Sequence, residues 1–178
     1  AYLSVIEAIK HAAFFHKRQP IITWINAEEF EQANSALLSR RSGTSAMRMR
    51  PYELNKKLSV LKQYDGIIVP GGFGSRGVEG KISAIKFCRE NKIPYFGLCY
   101  GMQLACIEFA RHICGLRNAH TTEIDKNTLS PIIDLMLDQK DVLKNNRYGG
   151  TMRLGAYYCR LMHGTKAAKA YGRELISE

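Results

Sequence analysis

One run of five residues has the types and spacing of a reactive centre: Gly97-Leu98-Cys99-Tyr100-Gly101. It follows an apolar stretch, Ile93 to Leu98, and opens a helical pattern from Gly101 to about Cys114. G-x-C-x-G between a strand and a helix has the form of a nucleophile elbow with sulfur in place of oxygen. The chemistry would be attack of a thiolate on a carbonyl carbon. A sharp turn holds the nucleophile out of the strand, and flanking glycines remove side chains that would collide with neighbouring backbone. The helix N-terminus then favours the anionic sulfur. A lone cysteine in an apolar run is ordinarily a small core residue. The two glycines at these offsets make Cys99 the exception, whereas Cys88, Cys106 and Cys114 lack that context and read as core thiols.

Acyl transfer needs two donors aimed at the developing oxyanion. The backbone N–H of Tyr100, next after the nucleophile, supplies one. Pro70-Gly71-Gly72-Phe73-Gly74, at the end of the preceding apolar run Gly66 to Pro70, is placed to supply the other. The same glycines also spell Gly72-x-Gly74-x-x-Gly77, a dinucleotide-binding pattern. That pattern needs an acidic residue about 20 positions on. Gly97-Leu98-Cys99 stands there instead, with no acid, so the nicotinamide or flavin reading fails.

The elements that must carry these residues follow from periodicity. Leu3, Ile6, Ile9 and Ala13 mark one face of a helix over residues 1–15. Ile21 to Ile25 reads as a short strand, and Asn26-Ala27-Glu28-Glu29 as a cap opening a helix. Ser35 to Tyr52 is the least patterned stretch, a loop or basic insertion, and Leu54 to Leu61 is helical. Strand 66–70, helix 80–91, strand 93–98 and helix 101–114 then alternate, which implies a parallel sheet covered on both faces. Pro131 to Leu137 reads as a further strand, and Gly149 to Leu161 as a bend followed by a strand. The expectation is an α/β, three-layer, doubly wound domain with a mainly parallel, flavodoxin-like sheet. The chain opens within a helix, without an initiator Met or a preceding strand, so residues 1–178 read as a partial domain.

Composition bounds the function. An apolar share of 46% and a charged share of 24% are ordinary for a globular domain. No apolar run reaches the length of a membrane span, and no signal-peptide layout opens the chain. Five cysteines, an odd number without a CxxC pair, give neither a disulfide framework nor a zinc signature. A reduced, cytoplasmic setting fits them best. The net charge is +10, and its densest basic stretch, Arg40, Arg41, Arg48 and Arg50, has no interleaved aromatic residues. It reads as a solvated surface rather than a nucleic-acid face.

A thiol nucleophile also needs a base. His112 lies 13 positions beyond Cys99 on the same helix, roughly 20 Å away at ~1.5 Å per residue, so it cannot serve. His11 and His16 flank the first helix, and His120 and His163 lie in segments without a clear pattern.

With these residues in view, the sequence resembles class I glutamine amidotransferases, and among them the C-terminal glutaminase domain of the CTP synthase family. The matching stretches are Gly71-Gly72-Phe73-Gly74-Ser75-Arg76-Gly77-Val78-Glu79-Gly80, Pro94 to Gln103, Thr122-Glu123, Pro131 to Met136, and Gly149-Gly150-Thr151-Met152-Arg153-Leu154-Gly155. The resemblance implies that Cys99 attacks the side-chain amide of L-glutamine, releasing ammonia and leaving a thioester that water hydrolyses. It assigns Gly72 to the oxyanion hole and to substrate contact, and Gln103 and Glu123 to the amino-acid end of glutamine. It places Arg76 and Glu79 in a loop associated with a GTP activator. No cofactor or metal is implied within this domain. The parent enzyme uses ATP and magnesium in a synthetase domain to aminate UTP, and works as a homo-oligomer, a tetramer in the family. Tyr100 replaces the family's usual Leu, His120 its usual Asn, and the 39–50 stretch looks inserted. The family places its catalytic His and Glu, and an Arg that binds glutamine, beyond the point where this chain stops. The chain alone is therefore expected to turn over negligibly. The competing readings are another cysteine hydrolase on the same elbow, or a non-catalytic binding module.

Overall fold

The computed structural model describes residues 2–31, 51–134 and 156–177. The chain divides into two compact units, residues 1–134 and 135–178. The first unit begins with helix α1 (Leu3–Phe15), a 3-10 turn (Ala27–Phe30) and helix α2 (Pro51–Leu58), which runs on into a second 3-10 turn (Ser59–Gln63). Strand β1 (Ile67–Val69), helix α3 (Val78–Glu90), strand β2 (Tyr95–Gly97) and helix α4 (Tyr100–His112) follow. Strands β3 (Ala119–Thr121) and β4 (Ser130–Ile133) complete it.

β1 and β2 are parallel, with Ile67 opposite Tyr95 and Val69 opposite Gly97, so β1-α3-β2 is a crossover unit. β3 and β4 also pair in parallel, with a register irregularity between His120 and Thr121. Parallel strands joined through helices bear out the α/β class. Among the described residues these strands form separate two-stranded ladders.

Helix α3 is the centre of the packing. Val78, Ile82 and Ile85 are buried at helical spacing, and they meet Tyr100, Leu104 and Ile107 of α4 in one cluster. Ala84 and Cys88, on another side of α3, join Phe30, Leu54, Leu58 and Leu61 in a second. Leu104 and Ile107 are wholly buried, each contributing about 1.5–3 kcal/mol relative to exposure. Close approach of α3 to the first 3-10 turn depends on Gly80, where a β-carbon would lie 1.8 Å from the Ala27 carbonyl oxygen.

Several expectations need correction. Ile21–Ile25 belongs to no sheet among the described residues. Its apolar side chains suit a strand, but a strand also requires a neighbouring edge, and among the described residues β1 pairs only with β2. Asn26 does cap, its Oδ1 accepting the Glu28 amide at 3.1 Å, yet it opens a single 3-10 turn and not an α-helix. Pro51 and Tyr52, expected in the loop, begin α2, and the rest of that stretch from 35 to 50 lies outside the described residues. Of the five free cysteines only Cys88 is buried, so Cys106 and Cys114 are not core thiols.

In the second unit β5 (Tyr158–Arg160) pairs antiparallel with β6 (Leu175–Ser177). Helix α5 (Lys166–Tyr171) lies between them in sequence, with Thr165 as its N-cap and Gly172 closing it at φ +66°. β5 falls within the expected bend and strand over 149–161, of which residues 149–155 lie outside the described residues.

Candidate active site

β2 ends at Gly97, and the Leu98 amide donates to the Val69 carbonyl at 2.9 Å, extending the ladder by one bond. The chain then turns at Cys99, whose φ of +49° and ψ of −103° leave every favoured region for an L-residue. Such a conformation costs on the order of 1–3 kcal/mol and persists only where surrounding structure enforces it. The two glycines supply the enforcement. A β-carbon on Gly97 would stand 2.5 Å from the Gly101 carbonyl carbon, and one on Gly101 would stand 2.1 Å from the Val69 oxygen. Only bare backbone lets the first turn of α4 press against the strands.

Cys99 is the N-cap residue of α4, at the positive end of that helix dipole, and its thiol is free and exposed. Cys88 is the contrast: burial pushes its thiol up to about 11, which suits an inert core residue.

The glycine loop after β1 arrives beside this turn. A β-carbon on Gly71 would lie 3.5 Å from the Cys99 β-carbon, and one on Gly72 would lie 3.9 Å from the Tyr100 ring. Two tyrosines hold the loop. Tyr2 donates its hydroxyl to the Gly71 carbonyl at 2.9 Å, and Tyr100 donates to the Gly74 carbonyl at 2.7 Å. Glu123 Oε1 accepts from the Gly74 amide at 3.5 Å. Burial, and then the Glu123 charge, push the Tyr100 hydroxyl up to about 12, so it remains a donor at any working pH. Lys81 Nζ sits 5.5 Å from the Tyr100 ring centroid, a cation–π contact on the same residue.

The structure therefore brings Cys99, Gly72, Tyr100 and Glu123 into one neighbourhood. Among the described residues the amides of Gly72 and Tyr100 make no hydrogen bond, nor does the side chain of Gln103, one turn along α4. Arg76 and Glu79 are engaged elsewhere. Arg76 pairs with Glu28 of the first 3-10 turn, Nη2 to Oε2 at 3.1 Å. Arg111 Nη1 forks onto both oxygens of Glu79 at 3.0 and 2.9 Å, and its Nε donates to the Ala119 carbonyl.

None of the first unit's four histidines hydrogen-bonds Cys99. His112 Nδ1 lies 3.0 Å from the Glu108 carbonyl and 3.2 Å from its carboxylate. His120 Nδ1 accepts from the Thr121 amide at 2.9 Å while Nε2 stands 3.8 Å from Glu79. Burial, and then Arg111, hold the His120 pKa below its ordinary value. His163 pairs with Glu174 at 2.7 Å within the second unit. Sequence reasoning also missed the Tyr2 and Tyr100 hydroxyls and the Arg111 fork. Nothing in residue spacing marks them, because the bonded partners stand 69, 26 and 32 positions apart in the sequence.

A cavity of about 630 Å³ runs beside β1, lined by α1, residues 21–28 and the Gly71-Gly72-Phe73 edge of the loop. Cys99 does not line it. Among the described residues, no group of three or more His, Cys, Asp or Glu side chains could hold a metal ion, and no helix is long and apolar enough to cross a membrane.

A cysteine at a strained strand-to-helix turn, beside a glycine loop on a parallel crossover, defines an α/β domain of the nucleophile-elbow class. The chain belongs to the class-I glutamine amidotransferase family, whose model matches residues 2–174. It is 49% identical to the CTP synthase of Caldanaerobacter subterraneus over 180 residues, covering 100% of this chain and 28% of that protein. It is also 49% identical to the CTP synthase of Geobacillus kaustophilus over 178 residues, 100% of this chain and 29% of that one. The solved glutaminase domain of Trypanosoma brucei CTPS with bound acivicin superposes at a TM-score of 0.73 with 28% identity, over 99% of this chain and 59% of that one. The resemblance read from the sequence is thus borne out. The chain spans under a third of the length of the curated relatives it matches.

Proposed function

We propose that this chain carries the glutamine-hydrolysing chemistry of a CTP synthase, with Cys99 as nucleophile. The observation that supports it most directly is the Cys99 backbone, held at φ +49° between two obligatory glycines with the thiol exposed. The thiolate adds to the side-chain amide carbon of glutamine, forming the C–S bond and pushing the carbonyl electrons onto oxygen. The amides of Tyr100 and Gly72, which make no hydrogen bond among the described residues, are the donors for that oxyanion. Collapse breaks the C–N bond, and the departing nitrogen takes a proton to leave as ammonia. Water then cleaves the thioester to glutamate. Glu123, with its carboxylate beside Gly74, and Gln103 take the amino-acid end of the substrate, the carboxylate facing the α-ammonium group.

In the whole protein the ammonia would aminate UTP to CTP in a cytoplasmic homo-oligomer, a tetramer by family resemblance. ATP and magnesium would act in a synthetase domain. A GTP activator at the 76–79 loop would have to exchange Glu28 for its own phosphates at Arg76, while Glu79 is already committed to Arg111. Since none of the first unit's histidines hydrogen-bonds Cys99, acylation by these residues alone is expected to be slow.

The test is protection of Cys99 from iodoacetamide, read by peptide mass spectrometry. L-glutamine or acivicin is expected to shield Cys99 and leave the exposed Cys106, Cys114 and Cys159 reactive. Shielding by simple acyl compounds but not by glutamine would favour another cysteine hydrolase. No shielding by any of them would leave a non-catalytic module.

A further inference from the structure

The glycine loop is fastened at both ends by tyrosine hydroxyls, Tyr2 on Gly71 at 2.9 Å and Tyr100 on Gly74 at 2.7 Å. The two donors come from different elements, one from the residue that opens α1 and one from the first residue of the nucleophile's own helix. A trans peptide is planar, with its C=O and N–H pointing to opposite sides. Holding the Gly71 carbonyl therefore also sets the direction of the Gly72 N–H in the same peptide unit. Peptides between glycines are the least restrained in a chain, since no β-carbon resists their rotation. Without an anchor this donor would be shared among several orientations, and an oxyanion site is effective only when its dipoles are already aimed.

We propose that the hydroxyls of Tyr2 and Tyr100 are positioning groups that lock the Gly71–Gly74 loop so that the Gly72 amide serves as the second oxyanion donor. The inference rests on the reading of Cys99 and Gly72 given above and adds the residues that make the donor pair rigid. Tyr100 carries a double duty. Its backbone amide is one donor, and its side chain ties the loop that bears the other, so the pair cannot drift apart without breaking a bond. The Glu123 carboxylate holds the amide of the same Gly74 whose carbonyl Tyr100 holds, and the residue proposed to bind the substrate's ammonium thereby shares the lock. Phenylalanine at either position keeps the ring and removes only the hydroxyl.

The experiment compares wild type with Tyr2→Phe and Tyr100→Phe in the full 178-residue protein. Two ligands are titrated by their protection of Cys99 from iodoacetamide: L-glutamine, and a γ-aldehyde analogue of glutamine. The thiol adds across the aldehyde, the C–S bond forms, and the sulfhydryl proton passes to oxygen, giving a tetrahedral adduct that presses on the donor pair. Losing one positioning hydrogen bond is expected to weaken aldehyde binding about five- to tenfold while glutamine binding shifts by less than about twofold. Thermal midpoints are recorded alongside. If both variants bind the aldehyde like wild type, or if both ligands weaken equally, the positioning role is overturned and the functional reading stands. If neither ligand protects Cys99 in wild type, the functional reading falls and this inference with it.

Discussion

Gly101 faces Val69 so closely that a β-carbon on the glycine would lie 2.1 Å from the valine carbonyl oxygen. The helix bearing the nucleophile and the strand leading to the glycine loop are in backbone contact, and the contact sets how far Cys99 stands from that loop.

Gly101→Ala is accordingly expected to cost about 1–3 kcal/mol, the range for an atom forced into a packed site. The more telling effect is local. Strand and helix must part, so glutamine protection of Cys99 should weaken by more than the stability loss alone explains. Urea unfolding and the protection assay on the same preparation check both. An unchanged protein on both measures would mean that the contact relaxes freely.

Glu123→Gln removes the negative charge offered to the substrate's ammonium group and keeps the side-chain size. A charge-assisted hydrogen bond is worth about 1.5–3 kcal/mol, so glutamine should need roughly ten- to a hundredfold higher concentration for half-protection of Cys99. Iodoacetamide reactivity without ligand should not change. A half-protection point equal to wild type would take Glu123 out of substrate binding.

Arg89 forks onto Glu108 between α3 and α4, at 2.8 to 3.2 Å, and Glu108 is only 1% exposed. Arg89→Met strands that carboxylate. Because the arginine end is 31% exposed and His112 stands 3.2 Å away, the cost should fall below that of a fully buried pair, at about 1–3 kcal/mol. Adding Glu108→Leu should restore part of the loss, which a double-mutant cycle in urea would measure. A double variant no more stable than Arg89→Met would show that the carboxylate is satisfied without its arginine.

His120 offers a pH test. Its folded pKa lies below the unfolded value of about 6.5, mainly because burial disfavours the cation. The unfolded chain therefore binds the proton more readily. Stability from neutral His120 is fully present above about pH 6.5 and is lost as pH falls through the folded pKa. His120→Asn lacks this dependence, so the stability of wild type relative to the variant should decline from pH 7.5 to pH 5. Urea midpoints at both pH values decide it, and parallel behaviour would refute the burial argument.

The elbow was legible because its requirements are local. Gly97, Cys99 and Gly101 lie within five residues, and the helix and strand on either side declare themselves by apolar spacing. The α3 and α4 stripes were readable for the same reason. Ile21–Ile25 misled because its composition reports burial preference and cannot report whether a partner edge exists. β3, only three residues long, carries no period at all, and its Ala119, whose carbonyl accepts from Arg111, is buried by tertiary packing. Cys106 and Cys114 were misplaced because a helix face cannot be assigned from residue type when neighbouring apolar residues such as Phe109 and Ile113 are also exposed. Across the site, residue types named the chemical parts, while the two tyrosines that tie them together are visible only after folding.

The two ion pairs flanking the glycine loop differ in kind. Arg76 and Glu28 meet at an exposed position, where water screens the pair and it adds little to stability. Arg111 grips Glu79 through a fork and also holds the Ala119 carbonyl, with its own side chain only 16% exposed. An arriving anion can thus dislodge one carboxylate from the loop at almost no penalty, while the other stays fixed. An anion meeting Arg76 would therefore find in Glu28 a tethered placeholder that gives way readily. Raising ionic strength would free Arg76 and weaken its attraction for newcomers at the same time, leaving apparent affinity there less sensitive to salt than a bare arginine would be.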